Sequence, residues 1–240
     1  MVHYTYSQIS SSGGRSRNED SIQVQHINGS LLATVADGLG GEGGGDIAAQ
    51  TAVSSIINFM NKSLLYTADN IIAAIKYADD AVISAQKKCE AMKTTIVLLC
   101  MDKENAICGH LGDSRLYHFR NNGICFQTKD HSVSQMAVSV GEITPEEIRF
   151  HADRNKLLRA LGSRERMPAD AKELLVRSGD GFLLCTDGFW ELVLEDEMTD
   201  DFQKSQNAGQ WLEKMQRRVE SRLSNISDNY SAVTVIANDI

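Results

Sequence analysis

The chain has 240 residues, 42% hydrophobic and 23% charged, enough for a sizeable core in one large domain. Its formal charge of −8 argues against nucleic acid or an anionic membrane as the main partner. No basic stretch with an apolar segment opens the chain, and the longest apolar run is only Ile96–Met101, so neither secretion nor membrane spanning is expected.

In chain order, residues 2–9, 21–27 and 31–36 read as strands, two of them with clear alternation. Apolar residues recur at helical spacing from Asp46 to Leu64 (Ala49, Val53, Ile56, Met60) and again from Asp69 to Glu90 (Ile71, Ile75, Ala78, Val82). Four more strand-like runs follow at 94–101, 106–111, 114–119 and 124–128, then a mostly helical, irregular stretch at 130–161. Within it, Thr144-Pro145-Glu146-Glu147 has the composition of a helix start. A strand at 181–186, helices at 188–193 and 209–223, and a last strand at 232–237 complete the pattern. The acidic run Glu195-Asp196-Glu197 with Asp200-Asp201 reads as a solvated helix start. Strands in two groups with helix pairs between and after them predict an α+β chain in which two packed sheets are covered by helices. They do not predict a doubly wound sheet. Without repeats or a low-complexity linker, a single domain is expected over residues 1–240.

The five cysteines, Cys89, Cys100, Cys108, Cys125 and Cys185, are odd in number and form no C-x-x-C. They read as buried, reduced thiols in a reducing compartment, which places the protein in the cytoplasm.

The glycine run at 38–45 matches a dinucleotide fingerprint but is walled by Asp37, Glu42 and Asp46, where a phosphate would need bare backbone N–H groups. A cation suits it better. The same sign of charge recurs at strand ends. Asp37 follows 31–36, Asp113 follows 106–111 and Asp187 follows 181–186; Asp228 precedes 232–237, and Glu19 with Asp20 precede 21–27. Each could be an isolated turn aspartate. If they converge, like charges about 4 Å apart repel by roughly 4 kcal/mol at an effective dielectric of 20, so divalent cations must lie among them. With no Cys or His at ligand spacing, the donors are hard oxygens, which select Mg²⁺ or Mn²⁺ over Zn²⁺.

Taken in order, "RSRNEDS" (15–21), "VADGLGGEGGG" (35–45), "GHLGDSRLY" (109–117), "NKLLRALGS" (155–163), "GDGFLLCTDGFWE" (179–191) and "DNYSAVTVI" (228–236) resemble the protein phosphatase 2C-like family, in its compact bacterial form. "TTIVLL" (94–99), "KDHS" (129–132) and "ITPEE" (143–147) fit the same series, and the resemblance spans about residues 4–237. It implies a four-layer α-β-β-α sandwich, two antiparallel sheets flanked by helix pairs. It also implies a metal-dependent phosphoserine/phosphothreonine phosphatase that uses a hydroxide bridging two metals. The alternatives are a catalytically weak or inactive phosphatase-fold binding module and a small-molecule phosphatase.

By this resemblance Asp37 bridges two tightly bound Mn²⁺ or Mg²⁺ ions. Asp187 and Asp228 complete one position, and the Gly38 carbonyl serves the other. Glu19 and Asp20 ligate directly or hold bound water, and Asp113 with Asp187 takes a third, weaker ion. Arg15 is the phosphate-binding residue, so Asp37, Asp187 and Arg15 form the catalytic group. The partners implied are phosphorylated proteins, in opposition to a serine/threonine kinase, and a monomer is expected. Many eukaryotic relatives carry a histidine where Leu39 stands. His131 could replace it as general acid but reads more readily as a buried structural histidine, and His110 reads as a strand residue. The region 130–155 corresponds to a flap beside the site, where substrate choice is made.

Overall fold

The computed structural model describes residues 3–40, 43–63, 66–86, 92–102, 104–163, 165 and 168–238. Glu42, Leu64, Cys89 and Glu90, named above, lie outside the described residues. The strands are β1 (His3–Ser11), β2 (Ser21–Ile27), β3 (Ser30–Ala36), β4 (Gly38–Leu39), β5 (Lys93–Thr94) and β6 (Ile96–Met101). They continue as β7 (Asn105–Leu111), β8 (Arg115–Arg120), β9 (Gly123–Gln127), β10 (Asp170–Leu175), β11 (Gly181–Cys185) and β12 (Tyr230–Asn238). The helices are α1 (Gly45–Met60), α2 (Ala68–Ala85), α3 (Val133–Ser139), α4 (Asp187–Trp190), α5 (Glu195–Gln203) and α6 (Ala208–Arg222), with a 3₁₀ turn at Pro145–Phe150.

Two five-stranded antiparallel sheets run in the orders β1-β12-β11-β8-β9 and β10-β7-β6-β3-β2. Strand alternation explains the layering. On β3, Leu31, Ala33 and Val35 face the other sheet, and on β6 Val97, Leu99 and Met101 do the same, meeting Val233 and Val235 of β12. The opposite faces, Leu32 and Leu98 among them, pack on Ala49, Val53 and Ile56 of α1 and Ile71, Ile75 and Val82 of α2. Across the molecule, Ala232 and Ile236 of β12 pack on Trp211, Met215 and Val219 of α6. The result is the expected four-layer sandwich, its buried strands reading as apolar runs because both faces are covered.

The departures from expectation have local causes. The strand expected over 94–101 breaks at Thr95, whose side chain is bonded elsewhere. The helix start at Thr144 closes a 3₁₀ turn, with Thr144 N–H donating to Glu147 at 2.7 Å. β10 was not anticipated; it is an edge strand with mostly exposed side chains, so it carries little hydrophobic signal. The acidic run does open a helix, but it is not simply solvated. Asp201 is buried against Arg218 (2.6 Å), and Glu197 accepts from Arg218 and Arg222. Cys100, Cys108 and Cys185 are buried free thiols, whereas Cys125 is exposed, because β9 is also an edge strand. Among the described residues, no helix is long and apolar enough to cross a membrane.

Candidate active site

The sheet registers bring the acid-bearing ends together. Ser21 pairs with Ala36, so Asp20 and Asp37 leave neighbouring strands at one end. Cys185 pairs with both Ala232 and Arg115, which puts Asp187, Asp228 and the Asp113 turn at that same end. Arg15, Glu19, Asp37, Gly38, Asp113, Asp187 and Asp228 all line one cavity of about 620 Å³. Asp20 is not part of this lining but lies close enough that its charge raises Asp37 and that of Asp187 raises it in turn. Asn155 and Leu157 form part of the wall.

The acids are held by bonds that leave oxygens turned inward. Asp187 Oδ1 accepts Gly188 N–H at 2.6 Å, and Asp228 Oδ1 accepts Asn229 N–H at 2.9 Å. Asp20 Oδ2 accepts from Thr186 at 3.1 Å, while its Oδ1 is buried without a hydrogen-bond partner among the described residues. Glycines bring these chains together. A Cβ on Gly188 would stand 2.0 Å from the Asn229 carbonyl, and one on Gly38 would stand 2.2 Å from the Gly45 carbonyl. Within the glycine run, Gly38 is required by backbone contact, whereas Gly43 and Gly44 take φ values of 98° and 108°, which side chains rarely adopt.

Electrostatics make the cluster unstable as a set of free anions. Burial, and then the charges of Asp187, Asp20 and Asp113, push Asp37 well above the ordinary carboxylate range. Burial and then Asp187 do the same to Asp113. Burial raises Asp187, the hydrogen bond with Asp37 partly offsetting it, and burial followed by the charge of Asp46 raises Glu19. Asp20 is carried to about 7 by burial, with the nearby Ser231 and Thr186 hydroxyls opposing and the charge of Asp187 reinforcing the rise. Among the described residues, Arg15 is the one cation in salt-bridge contact with Glu19, Asp20, Asp37, Asp113, Asp187 or Asp228, 3.0 Å from Asp228 at the exposed rim. Raised carboxylates, an unpartnered buried oxygen and an all-oxygen donor set fit hard divalent cations.

Sequence reasoning did not single out three residues that shape this site. Asn229 accepts from Glu19 N–H (2.8 Å) and donates to the Ser12 and Arg17 carbonyls, clamping the loop that carries Arg15. Thr95 accepts Asp37 N–H at 2.9 Å and shares a 2.7 Å hydrogen bond with Ser114, next to Asp113. Trp190 donates its indole N–H to the Asp113 carbonyl at 3.0 Å. "DNYS" and "DGFW" contain two of them, but nothing in an amide or an indole marks it as a clamp.

A second cluster, His110, His131 and Asp170, brings three potential ligand atoms within 4.8 Å. It is closed by its own hydrogen bonds. His131 Nδ1 accepts Gly112 N–H (3.1 Å), so Nε2 carries the proton donated to Asp170 (3.1 Å). His110 Nε2 lies 2.9 Å from the Lys129 carbonyl, and the two rings stack. His131 has no lone pair to lend a metal, and both its ring nitrogens are engaged, as befits the structural histidine that was expected.

The acid-mouthed β-sandwich defines the class. The protein phosphatase 2C model matches residues 10–227, and the chain belongs to that family. It is 32% identical over 195 residues to the serine/threonine phosphatase stp of Listeria welshimeri, covering 78% of this chain and 77% of that protein. With the serine/threonine protein phosphatase PstP of Mycobacterium tuberculosis it shares 31% over 193 residues, 79% of this chain but 37% of that longer protein. The catalytic domain of PstP, solved in complex with two manganese ions, superposes with a TM-score of 0.85 at 25% identity over the full length of both chains.

Proposed function

We propose that this chain, a metal-dependent serine/threonine protein phosphatase, would hold two Mn²⁺ ions with Asp37 as a ligand to both. Asp187 and Asp228 would complete one position and the Gly38 carbonyl the other, with Glu19 and Asp20 acting directly or through water. Asp113 and Asp187 would take a third, weaker ion, and Mg²⁺ would serve in place of Mn²⁺. When bound, such ions activate water near neutral pH and offset charge developing on phosphate.

The protein's own groups do the rest. Arg15 stands on the cavity wall with its side chain 56% exposed, so its planar fork can exchange Asp228 for two phosphate oxygens. Asn155 and Leu157, which line the same cavity, would contact the bound phosphoresidue. The flap at 130–155, which includes α3 and the 3₁₀ turn, would select among phosphoproteins. The chain would act as one domain and as a monomer in the cytoplasm, reversing a serine/threonine kinase.

One observation carries this reading: Glu19, Asp37, Asp113 and Asp187, all with raised pKa values, line one cavity with Asp20, also raised, close by, and among the described residues the only cations on its wall are Arg15 and Arg17, both exposed at the rim. Release of p-nitrophenol from its phosphate is expected with Mn²⁺ and lost with EDTA. A phosphopeptide panel should then give higher kcat/KM than small phosphomonoesters. No metal-dependent release would favour a binding module, and equal or better turnover of small molecules would favour a small-molecule phosphatase.

A further inference from the structure

Asp113 sits on the turn between β7 and β8, entered through Gly112 at φ 115°, and its side chain depends on where that turn is pinned. One pin is Trp190, the last residue of the single-turn helix that Asp187 begins. The Trp190 indole N–H to Asp113 carbonyl bond is buried and 3.0 Å long. It ties the β7–β8 connection between the two sheets to the segment that follows β11, and so joins the segments that carry Asp113 and Asp187.

The indole is itself held on its face. The Arg115 guanidinium carbon lies 3.5 Å from the ring centroid, and the fork is fixed by Asp130 at 2.8 and 2.7 Å and by Tyr117 at 3.0 Å. Arg149 approaches from 5.7 Å, donating to the Trp190 carbonyl and to Glu195. Trp190 is 2% exposed and Arg115 3%. A side chain held this firmly has little freedom to release its one polar contact.

We infer that Trp190 is a positioning residue for Asp113: its N–H fixes the turn so that the Asp113 and Asp187 carboxylates face one ion. This rests on the proposed third-ion role of Asp113. Residues that orient ligands from behind change metal affinity or activity by about 10–100-fold when lost, and the low end is expected here because Ser114 is also tied to Thr95.

The test compares the full chain with Trp190→Phe, which keeps a ring beneath Arg115 but removes the donor, and with Asp113→Ala. Replacement of Trp190 by benzothienylalanine, which keeps the bicyclic shape without the N–H, serves if phenylalanine fails to fold. Mn²⁺ binding by calorimetry is read beside phosphopeptide kinetics. Trp190→Phe should keep two tight ions, weaken the third by about tenfold and lower kcat by a similar factor, with KM unchanged. Excess Mn²⁺ should restore the rate, and Trp190→Phe added to Asp113→Ala should cost nothing more. If the Trp190 variants melt lower but bind Mn²⁺ and turn over as wild type, or if the two defects multiply, the positioning role is overturned while the third ion stands. If Asp113→Ala itself changes neither Mn²⁺ binding nor rate, the third-ion reading fails and the Trp190 role with it.

Discussion

Strand β11 has a shielded aspartate beyond each end, and the two have opposite fates. Asp180, 1% exposed just before the strand, accepts from Arg120 (2.9 and 2.6 Å), His118 (3.0 Å) and the Arg177 N–H (2.8 Å). Burial alone would raise it, but these donors hold it at about 2. Asp187, just past the other end, meets Asp37 and Asp228 and is raised. Loss of solvent pushes both acids upward, although Asp187 is only half-buried; whether the protein supplies its own cation is what differs. An enclosed acid without one is a place prepared for an ion from outside.

The largest effect should come from cutting the ion-dependent end. Asp37→Asn should lower kcat by at least about 10³-fold, roughly 4 kcal/mol in the barrier. The same variant, stripped of metal, should melt above metal-free wild type, because one repelling charge is gone. More than a tenth of wild-type kcat with metals bound normally would break the assignment of Asp37 to both ions.

Cutting the self-neutralised end should do the reverse. Asp180→Ala leaves Arg120 and His118 facing each other without their acid, and should cost about 3 kcal/mol of stability. Activity per folded molecule should be unchanged. Urea unfolding beside single-temperature kinetics checks both halves, and a kinetic defect without a stability loss would erase the distinction.

The two ends should also titrate in separate windows with opposite signs. Asp180 is depressed below the ordinary value near 3.9, so its contribution is present above pH 4 and lost as pH falls toward about 2. Asp20 is raised, so in the metal-free protein its penalty is absent below pH 4 and grows as pH rises toward about 7. Thermal unfolding in EDTA should therefore decline from pH 4 to pH 7, and saturating Mn²⁺ should flatten that slope. A metal-free curve that rises through this window would contradict the raised acids.

The smallest effect is at the rim. Arg15→Ala should raise KM for phosphomonoesters by about tenfold with a lesser fall in kcat, since its phosphate contact is made before and during the reaction. Arg17, which lies 3.6 Å from Asp46 with its side chain 62% exposed, is the control. A larger defect from Arg17→Ala would move the phosphate contact to that residue.

The same strand shows how far the sequence could be read. "GDGFLLCTDG" presents Asp180 and Asp187 in nearly the same guise, each beside a glycine at the edge of an apolar run. What separates them is His118 and Arg120, some sixty positions away on β8, and no local pattern announces that pairing. The sandwich itself was legible, since β2 and β3 alternate or run apolar according to how many faces they bury. β10 was not, because an exposed edge has little to gain from apolar residues. The acids stood out as charges at strand ends. Asn229, Thr95 and Trp190 did not, because they work through backbone groups whose position only the folded chain defines.

The glycine contact beneath the acids has a kinetic corollary. With no room for a Cβ between Gly188 and the Asn229 carbonyl, main-chain contact limits how the Asp187 and Asp228 segments can shift. Loading then requires little conformational search; the slow events available are arrival of the ion and departure of a proton. Mixing the metal-free chain with Mn²⁺ should give an observed rate that climbs in proportion to ion concentration and quickens as the pH is raised, without a concentration-independent phase. In that respect the centre would behave like a rigid chelator, its selectivity residing in its shape before any ion arrives.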